Sequence, residues 1–149
     1  MSEHYRSYSA VFPLIFRTHD AKKQVLLARR ANTGYMDGCW DFAGSGHVDE
    51  GETATQAVVR ECSEELGIRV DAGDVRFVHL SHRLGTRGGK TYYDIYFVVD
   101  RYAGEPRIAE REKCDGLEWF YTDALPEDMI GIRRQALKHY FNAELYSEV

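Results

Sequence analysis

The sequence predicts a mixed α/β (α+β) sandwich built around a central sheet. Three observations carry that expectation. Strand-like runs come first, one helix with both ends encoded follows, and further strands lead to a closing helical segment. The 149 residues have the length of one ordinary domain, so a single domain over residues 1–149 is expected. Hydrophobic residues make up 44% of the chain and aromatics 13%, enough apolar surface for a core and too much for disorder.

Tyr8 to Phe16 is β-branched and aromatic, and a polar break at residues 18–23 separates it from a second run, Gln24 to Ala28. The pair reads as two strands joined by a loop. Pro13 marks an edge or an irregularity in the first, because it lacks the N–H that a ladder needs. Arg29 to Gly38 reads as loop, and Trp40 to Phe42 as a short strand running into the turn Gly44-Ser45-Gly46. The helix expected from Thr53 to Leu66 has a capping box in Thr53 and Gln56, and Gly67 followed by Ile68 is a left-handed terminator. Val75 to Leu84 and Thr91 to Val99 read as strands, with Gly85 to Lys90 a glycine-rich connection suited to movement. Arg101 to Gly116 is charged loop, Leu117 to Tyr121 a short strand, and Ile130 to Leu145 has helical spacing at Ile130, Arg133/Arg134, Leu137, Tyr140 and Phe141.

With 19 Lys and Arg against 24 Asp and Glu, the net charge of −5 disfavours nucleic-acid polymers and anionic membranes as partners. A phosphate-bearing small ligand stays open where a metal supplies local positive charge. Cys39, Cys62 and Cys114 are odd in number and widely spaced, with no CxxC pair, which points to a reducing compartment. The apolar run from Ala10 to Phe16 is interrupted by Pro13 and closed by Arg17, too short to span a bilayer. A soluble cytoplasmic protein is expected.

The chemistry is concentrated between Gly46 and Ile68. At about 100° per residue, with Glu61 at zero, Glu65 falls near 40° and Glu64 near −60°, so three carboxylates share one arc of roughly 100°. Val58, Val59, Cys62 and Leu66 form the neighbouring stripe, suited to packing on the sheet. A glutamate-rich helix is ordinarily a solvated face, but this one follows a tight glycine turn with Asp49, Glu50 and Glu52 and ends in an encoded stop. Carboxylates crowded at i,i+4 repel. A hard divalent cation offsets such repulsion, since Mg²⁺ takes one or two carboxylates plus substrate phosphates. Arg60 is placed to pair with Glu64 or to hold a neighbouring carboxylate, and the amides of the Gly44-Ser45-Gly46 turn add donors for an anion.

This segment resembles the Nudix box, G-x5-E-x7-R-E-U-x-E-E-x-G-U with U bulky and aliphatic. Gly46, Glu52, Arg60, Glu61, Glu64, Glu65, Gly67 and Ile68 stand at its fixed positions. Cys62 departs from the aliphatic pattern, which predicts looser local packing and intact chemistry. A looser likeness to MutT-like members extends over most of the chain, through Gly46-His47-Val48, Glu118-Trp119-Phe120 and Leu125-Pro126.

The resemblance implies an α/β/α sandwich with a mixed central sheet. It also implies metal-dependent hydrolysis of a diphosphate linkage, with Mg²⁺ as cofactor and Mn²⁺ as a substitute. Residue by residue, it implies Glu61 and Glu65 as main metal ligands and Glu64 as a further ligand or the base that deprotonates water. Arg60 would orient a glutamate, Glu52 would support the loop, and Ser45 would offer its backbone carbonyl to the metal. An acid from outside the box commonly joins such sites; Glu112 is the first candidate and Glu110 the second, against a plain surface charge. The expected substrate is a (d)NTP or oxidised (d)NTP, cleaved to NMP and pyrophosphate, with a monomer or homodimer as the assembly.

ADP-ribose, a dinucleoside polyphosphate or a nucleotide sugar are the alternative substrates, and a non-catalytic nucleotide-sensing module is the alternative of another class. The box entrance also looks like that of isopentenyl diphosphate isomerases, but their Cys-x-x-His-Pro segment is missing. Cys39 and Cys62 read as packing residues. For the rest of the pocket, Arg29 and Arg30 are candidates to meet phosphates. Tyr35, Trp40, Phe42, His82, Tyr92 and Tyr93 are candidates to stack on a base or to fill the core. Arg83, Arg87 and Lys90 are candidates to grip an anion.

Overall fold

A twelve-residue strand, β1 (Tyr8–His19), organises the fold. In the computed structural model, which describes residues 3–85 and 88–149, it is followed by β2 (Lys22–Arg30), β3 (Trp40–Phe42), β4 (Gly46–His47), α1 (Ala54–Leu66) and a 3₁₀ turn at Ala72–Asp74. Then come β5 (Val75–Arg83), β6 (Tyr92–Val99), β7 (Cys114–Tyr121), α2 (Gly131–Phe141) and β8 (Tyr146–Glu148). The strands form one mixed sheet in the order β3-β2-β1-β6-β5-β8, with β4 joined to β1 and β7 to β2. β1 and β6 run parallel from Tyr8↔Tyr92 to Ile15↔Val99, β5 is antiparallel to β6, and β8 is parallel to β5.

Alternation along β1 and β6 gives each helix a face. Val11, Ile15, Phe97 and Val99 pack with Ala57, Val58, Cys62 and Leu66 of α1, while Phe12, Leu14, Tyr96 and Val98 pack with Ala136 and Leu137 of α2. This is an α/β/α sandwich with a mixed central sheet, and the two clusters on either side of β1 are its core. Among the described residues no helix is long and apolar enough to cross a membrane. All three cysteines are free.

Pro13 sits within an interior strand rather than at an edge. On one side it lies opposite Phe97; on the other, β1 pairs β4 at Ala10 and Val11 and β2 from Phe16 to His19, so the proline falls between two ladders. That change of partner is the irregularity, and an N–H there would have no strand to meet. Arg29 and Arg30 extend β2 instead of opening the loop, β7 begins at Cys114 rather than Leu117, and α2 stops at Phe141. Thr86 and Arg87 of the glycine-rich connection lie outside the described residues.

β8 is an addition to the expected elements, and a buried imidazole explains it. His79 Nδ1 donates to the Glu144 carbonyl at 2.7 Å, and Nε2 lies 2.8 Å from Ser147 Oγ. Ser147 Oγ is in turn 2.5 Å from Ser81 Oγ, so the polar groups that β5 buries are satisfied by β8 and the residue Glu144 that leads into it.

Cys62 is 0% exposed, and burial, followed by Glu65 and Glu61, pushes its thiol up to about 12. Cys39 and Cys114 are half-buried. Thiol reagent is therefore expected to label Cys39 and Cys114 in the folded chain and Cys62 only after denaturation. Cys62→Leu is expected to lower stability by about 1–3 kcal/mol through overpacking, read by denaturant unfolding.

Candidate active site

α1 is fixed at both ends, and this sets which way its acids point. Thr53 Oγ1 accepts from the Gln56 N–H at 3.1 Å while Gln56 Oε1 accepts from the Thr53 N–H at 2.9 Å, and Gly67 closes the helix with φ 65°. With Ala57, Val58, Cys62 and Leu66 buried, Glu61, Glu64 and Glu65 fall on the edge that borders a cleft of about 570 Å³.

Arg60 is the hub of this edge. Its Nε and Nη2 donate to Glu52 Oε2 and Oε1 at 2.7 and 3.0 Å, and Nη1 donates to Glu61 Oε1 at 2.7 Å and to Glu64 Oε2 at 3.2 Å. Nη2 also donates to the His47 carbonyl at 3.0 Å, and Asp49 lies 3.4 Å away. Glu52 accepts the Asp49 N–H as well, so one carboxylate ties loop and helix together. The Arg60 hydrogen bonds hold the Glu52 carboxyl down at about 2.

Glu61 and Glu65 are placed differently. Burial pushes both carboxyls up; Arg60 pulls Glu61 back down, whereas Glu61 and Glu110 push Glu65 further up. Glu61 is 12% exposed and Glu64 51%, so one is held inside the wall and the other stands at its rim. Gly46 makes room for Glu61: a Cβ added there would overlap the Glu61 carboxyl group.

Among the described residues no three His, Cys, Asp or Glu side chains already converge as an ion cage. The donor set nonetheless fits a hard divalent cation. Glu61, Glu64, Glu65 and Ser45 all line the cleft with oxygen donors, and among the described residues no Lys, Arg or His side chain is ion-paired with Glu65.

The acid outside the box is where expectation and geometry part. The Ala109 N–H bonds the Glu65 carbonyl at 3.0 Å, which pins this segment to the end of α1 and sets Glu110 on the cleft wall. Glu112 lies past the turn closed by the Lys113 N–H on the Glu110 carbonyl, exposed and away from the cleft lining.

Of the other candidates, Arg29, Arg30, Tyr35, Phe42, Arg83 and Tyr92 line the cleft. Trp40 packs edge-on against Phe120 in the core, His82 stacks on Tyr93 away from the cleft, and Lys90 sits over Tyr8. Arg29 is engaged by Asp115 at 2.7 Å, and Arg30 holds the Tyr35 carbonyl at 2.7 Å and the Thr33 hydroxyl at 3.1 Å. Arg87 lies outside the described residues.

A buried polar network missed by the sequence reading forms the other end of the cleft. Arg133 of α2 donates to Asp41 Oδ1 and Asp94 Oδ2, both at 3.2 Å, and to the Tyr96 hydroxyl at 2.8 Å, while Arg83 holds both oxygens of Asp94. The only signal in the sequence is an arginine at a core-facing position of α2, in register with Ile130 and Leu137.

Residues 9–140 match the family model described as the NUDIX domain. The chain is 45% identical over 51 residues to the CTP pyrophosphohydrolase of Escherichia coli K12, a match covering 34% of this chain and 37% of that protein. It is 28% identical over 121 residues to a putative 8-oxo-dGTP diphosphatase of Bacillus subtilis, covering 80% of this chain and 72% of the relative. Among solved structures it resembles the MutT NUDIX hydrolase from Burkholderia pseudomallei with a TM-score of 0.77 and 27% identity, over 90% of this chain and 98% of that one.

The Gly46 contact yields a sharp expectation. An alanine there displaces the Glu61 carboxyl from Arg60 rather than moving backbone, so Gly46→Ala is expected to fold and to lose activity out of proportion to its fall in thermal unfolding temperature. A misplacement of about 1 Å costs on the order of 10²-fold in turnover, and steady-state kinetics on the variant measures it.

Proposed function

The chain belongs to the Nudix family of hydrolases, and we propose that the linkage it cleaves is the diphosphate bridge of a nucleoside triphosphate, ordinary or oxidised, giving NMP and pyrophosphate. The observation that carries the reading is the polarity of the cleft. Glu61, Glu64, Glu65 and Glu110 line the same cleft as Arg29, Arg30 and Lys113. A phosphate chain held in this cleft has both guanidinium and ammonium groups and cation-binding carboxylates within its lining.

In this reading Glu61 and Glu65 hold a divalent cation, with Glu64 and the Ser45 carbonyl as further oxygens; Mg²⁺ suits this set and Mn²⁺ substitutes. When bound, the cation draws charge from the phosphate oxygens and makes water a better nucleophile. Arg60 fixes the Glu61 and Glu64 carboxylates and Glu52 fixes Arg60, so the acids are positioned before substrate arrives. Glu64, the most solvent-open of the three, is suited to take the proton of the attacking water. The water oxygen bonds to phosphorus, the bridging P–O bond breaks, and its electron pair leaves on the departing phosphate. Arg30 and Lys113 are the cations of the cleft lining suited to meet that charge. No covalent enzyme intermediate is needed.

A panel of nucleoside triphosphates, ADP-ribose, dinucleoside polyphosphates and nucleotide sugars, assayed with and without Mg²⁺ and with products identified, tests the reading. Pyrophosphate release from a triphosphate supports it; cleavage confined to ADP-ribose or a nucleotide sugar replaces the substrate, and absence of turnover leaves only the sensing alternative.

Glu61→Gln and Glu65→Gln are expected to lower kcat by roughly 10²-fold or more at saturating Mg²⁺, with a smaller loss in Glu52→Gln. Glu110→Gln is expected to weaken activity or Mg²⁺ affinity by about tenfold, the scale for a partner of a metal ligand, with Glu112→Gln nearly silent. Equal effects from the last two would return residues 110–112 to a solvated face.

A further inference from the structure

We propose that Asn32 is a positioning residue of the hydrolytic site: its side-chain amide carries the ladder between β2 and β7 one step past the end of β2, and this grip holds the turn that presents Glu110 and Lys113 to the cleft. The inference rests on the reading of those two residues given above and names what sets their place.

The segment that bears Glu110 and Lys113 is a bridge with two anchors. At its start the Ala109 N–H donates to the Glu65 carbonyl at the end of α1. At its end β7 pairs antiparallel with β2 as far as Arg30↔Cys114, and the Ala31 N–H donates to the Lys113 carbonyl at 3.0 Å. The next step of that ladder sets Asn32 opposite Glu112. The backbone of Asn32 does not take it, because φ is 56° and the chain turns away into the loop; asparagine tolerates this left-handed conformation better than most residues. The side chain takes the step instead, with Nδ2 donating to the Glu112 carbonyl at 3.0 Å.

The grip starts from a fixed point. Directly after Asn32, the Asp37 carboxylate accepts from the Thr33 hydroxyl at 2.6 Å and from the Thr33 and Gly34 N–H groups at 3.0 Å each. These bonds, the hydroxyl's first, hold the Asp37 carboxyl below the usual carboxylate range. The root of the loop is closed as well, since the Arg30 N–H donates to the Cys39 carbonyl and the Gly38 N–H to the Arg30 carbonyl.

Between the anchors, the Lys113 N–H on the Glu110 carbonyl forms a turn that brings Lys113 Nζ to 3.9 Å from Glu110 Oε2. Glu112 lies inside this turn. What position 112 contributes is therefore its carbonyl, and its carboxylate stays outside the cleft lining. A single exposed hydrogen bond is worth little by itself. Here two neighbouring residues, Ala31 and Asn32, take two neighbouring carbonyls, 113 and 112, so losing one bond frees the turn to rotate about the other. That rotation moves Glu110 and Lys113 together. Asn32 itself lines the cleft, so direct contact with substrate is the competing role.

The test uses Asn32→Gly, which keeps the left-handed backbone and loses the amide, and Asn32→Asp, which keeps the shape and loses the donor. In the metal-free chain, NMR is expected to show Ala31 and Lys113 amide exchange about three- to tenfold faster in both variants, with the Ala109 amide unchanged. With Mg²⁺ and the best triphosphate of the panel, kcat/KM is expected to fall by about the same three- to tenfold. Added to a Glu110→Gln/Lys113→Gln background, Asn32→Gly is expected to cost less than about twofold, because the groups it positions are gone. Unchanged exchange, or unchanged kcat/KM, overturns the proposal. The full loss persisting in the double background overturns it in favour of direct contact with substrate. A Glu110→Gln/Lys113→Gln chain as active as the parent, or absence of triphosphate turnover, overturns the reading on which the proposal rests, and the exchange rates distinguish that failure from a failure of the grip.

Discussion

The constraint on which the rest of this structure depends is the gathering of like charges on one helical edge around Arg60. Three glutamates within one arc of α1 repel each other, and their side chains have little reason to share a direction. One guanidinium reverses that. It bonds Glu61 and Glu64 through Nη1 and takes Glu52 from the preceding loop through Nε and Nη2. Its own position is set by the His47 carbonyl, which β4 holds against β1 through Ala10↔His47. The acids are thus referred to the sheet rather than to the helix alone.

The same device recurs at the other end of the cleft with the signs rearranged. There the fixed element is Arg133, buried among Asp41, Asp94 and Tyr96, with Phe12 beneath it. Removing charges of this kind from water is expensive, and a buried ion network is weak evidence for stability. What it provides here is direction: β3, β6 and α2 each contribute a group that leaves little rotational freedom to the others. The two networks approach the cleft from opposite faces of the sheet, since α1 packs on one side of β1 and α2 on the other.

How much of this was legible in the sequence follows from the range of the interactions. α1 was readable end to end because its stop signals are local: Thr53 with Gln56, then Gly67. The acidic edge was readable because helical geometry converts spacing into direction. Arg133 was not, because its partners lie 92 and 39 residues away, and an arginine in an apolar register looks the same whether it is buried or reaches solvent. β8 escaped for a similar reason, since its three residues gain strand form only against His79 and Ser81. Glu110 and Glu112 differ by two positions in a charged run, and what distinguishes them is long-range: the backbone bond from Ala109 to Glu65, with the turn from Lys113 to Glu110 following it.

Cys62 shows how a departure from the family pattern fits the local packing. The turn before the box carries Gly44 at φ 79°, a conformation that disfavours side chains, and a Cβ added there would meet Cys62 Sγ at 3.1 Å and Leu66 Cδ1 at 3.3 Å. The turn therefore rests directly on the buried face of α1. A thiol at position 62 is narrower than the branched aliphatic group of the pattern, and it lies where Gly44 approaches the helix. Two residues further on, Gly46 meets the Glu61 carboxylate in the same way. The spacing between the turn that carries Ser45 and the acids of α1 is thus set by two contacts one helical position apart, one apolar and buried, the other charged and facing the cleft. Small residues meet larger ones at both, and this lets a backbone carbonyl and three carboxylates line the same wall.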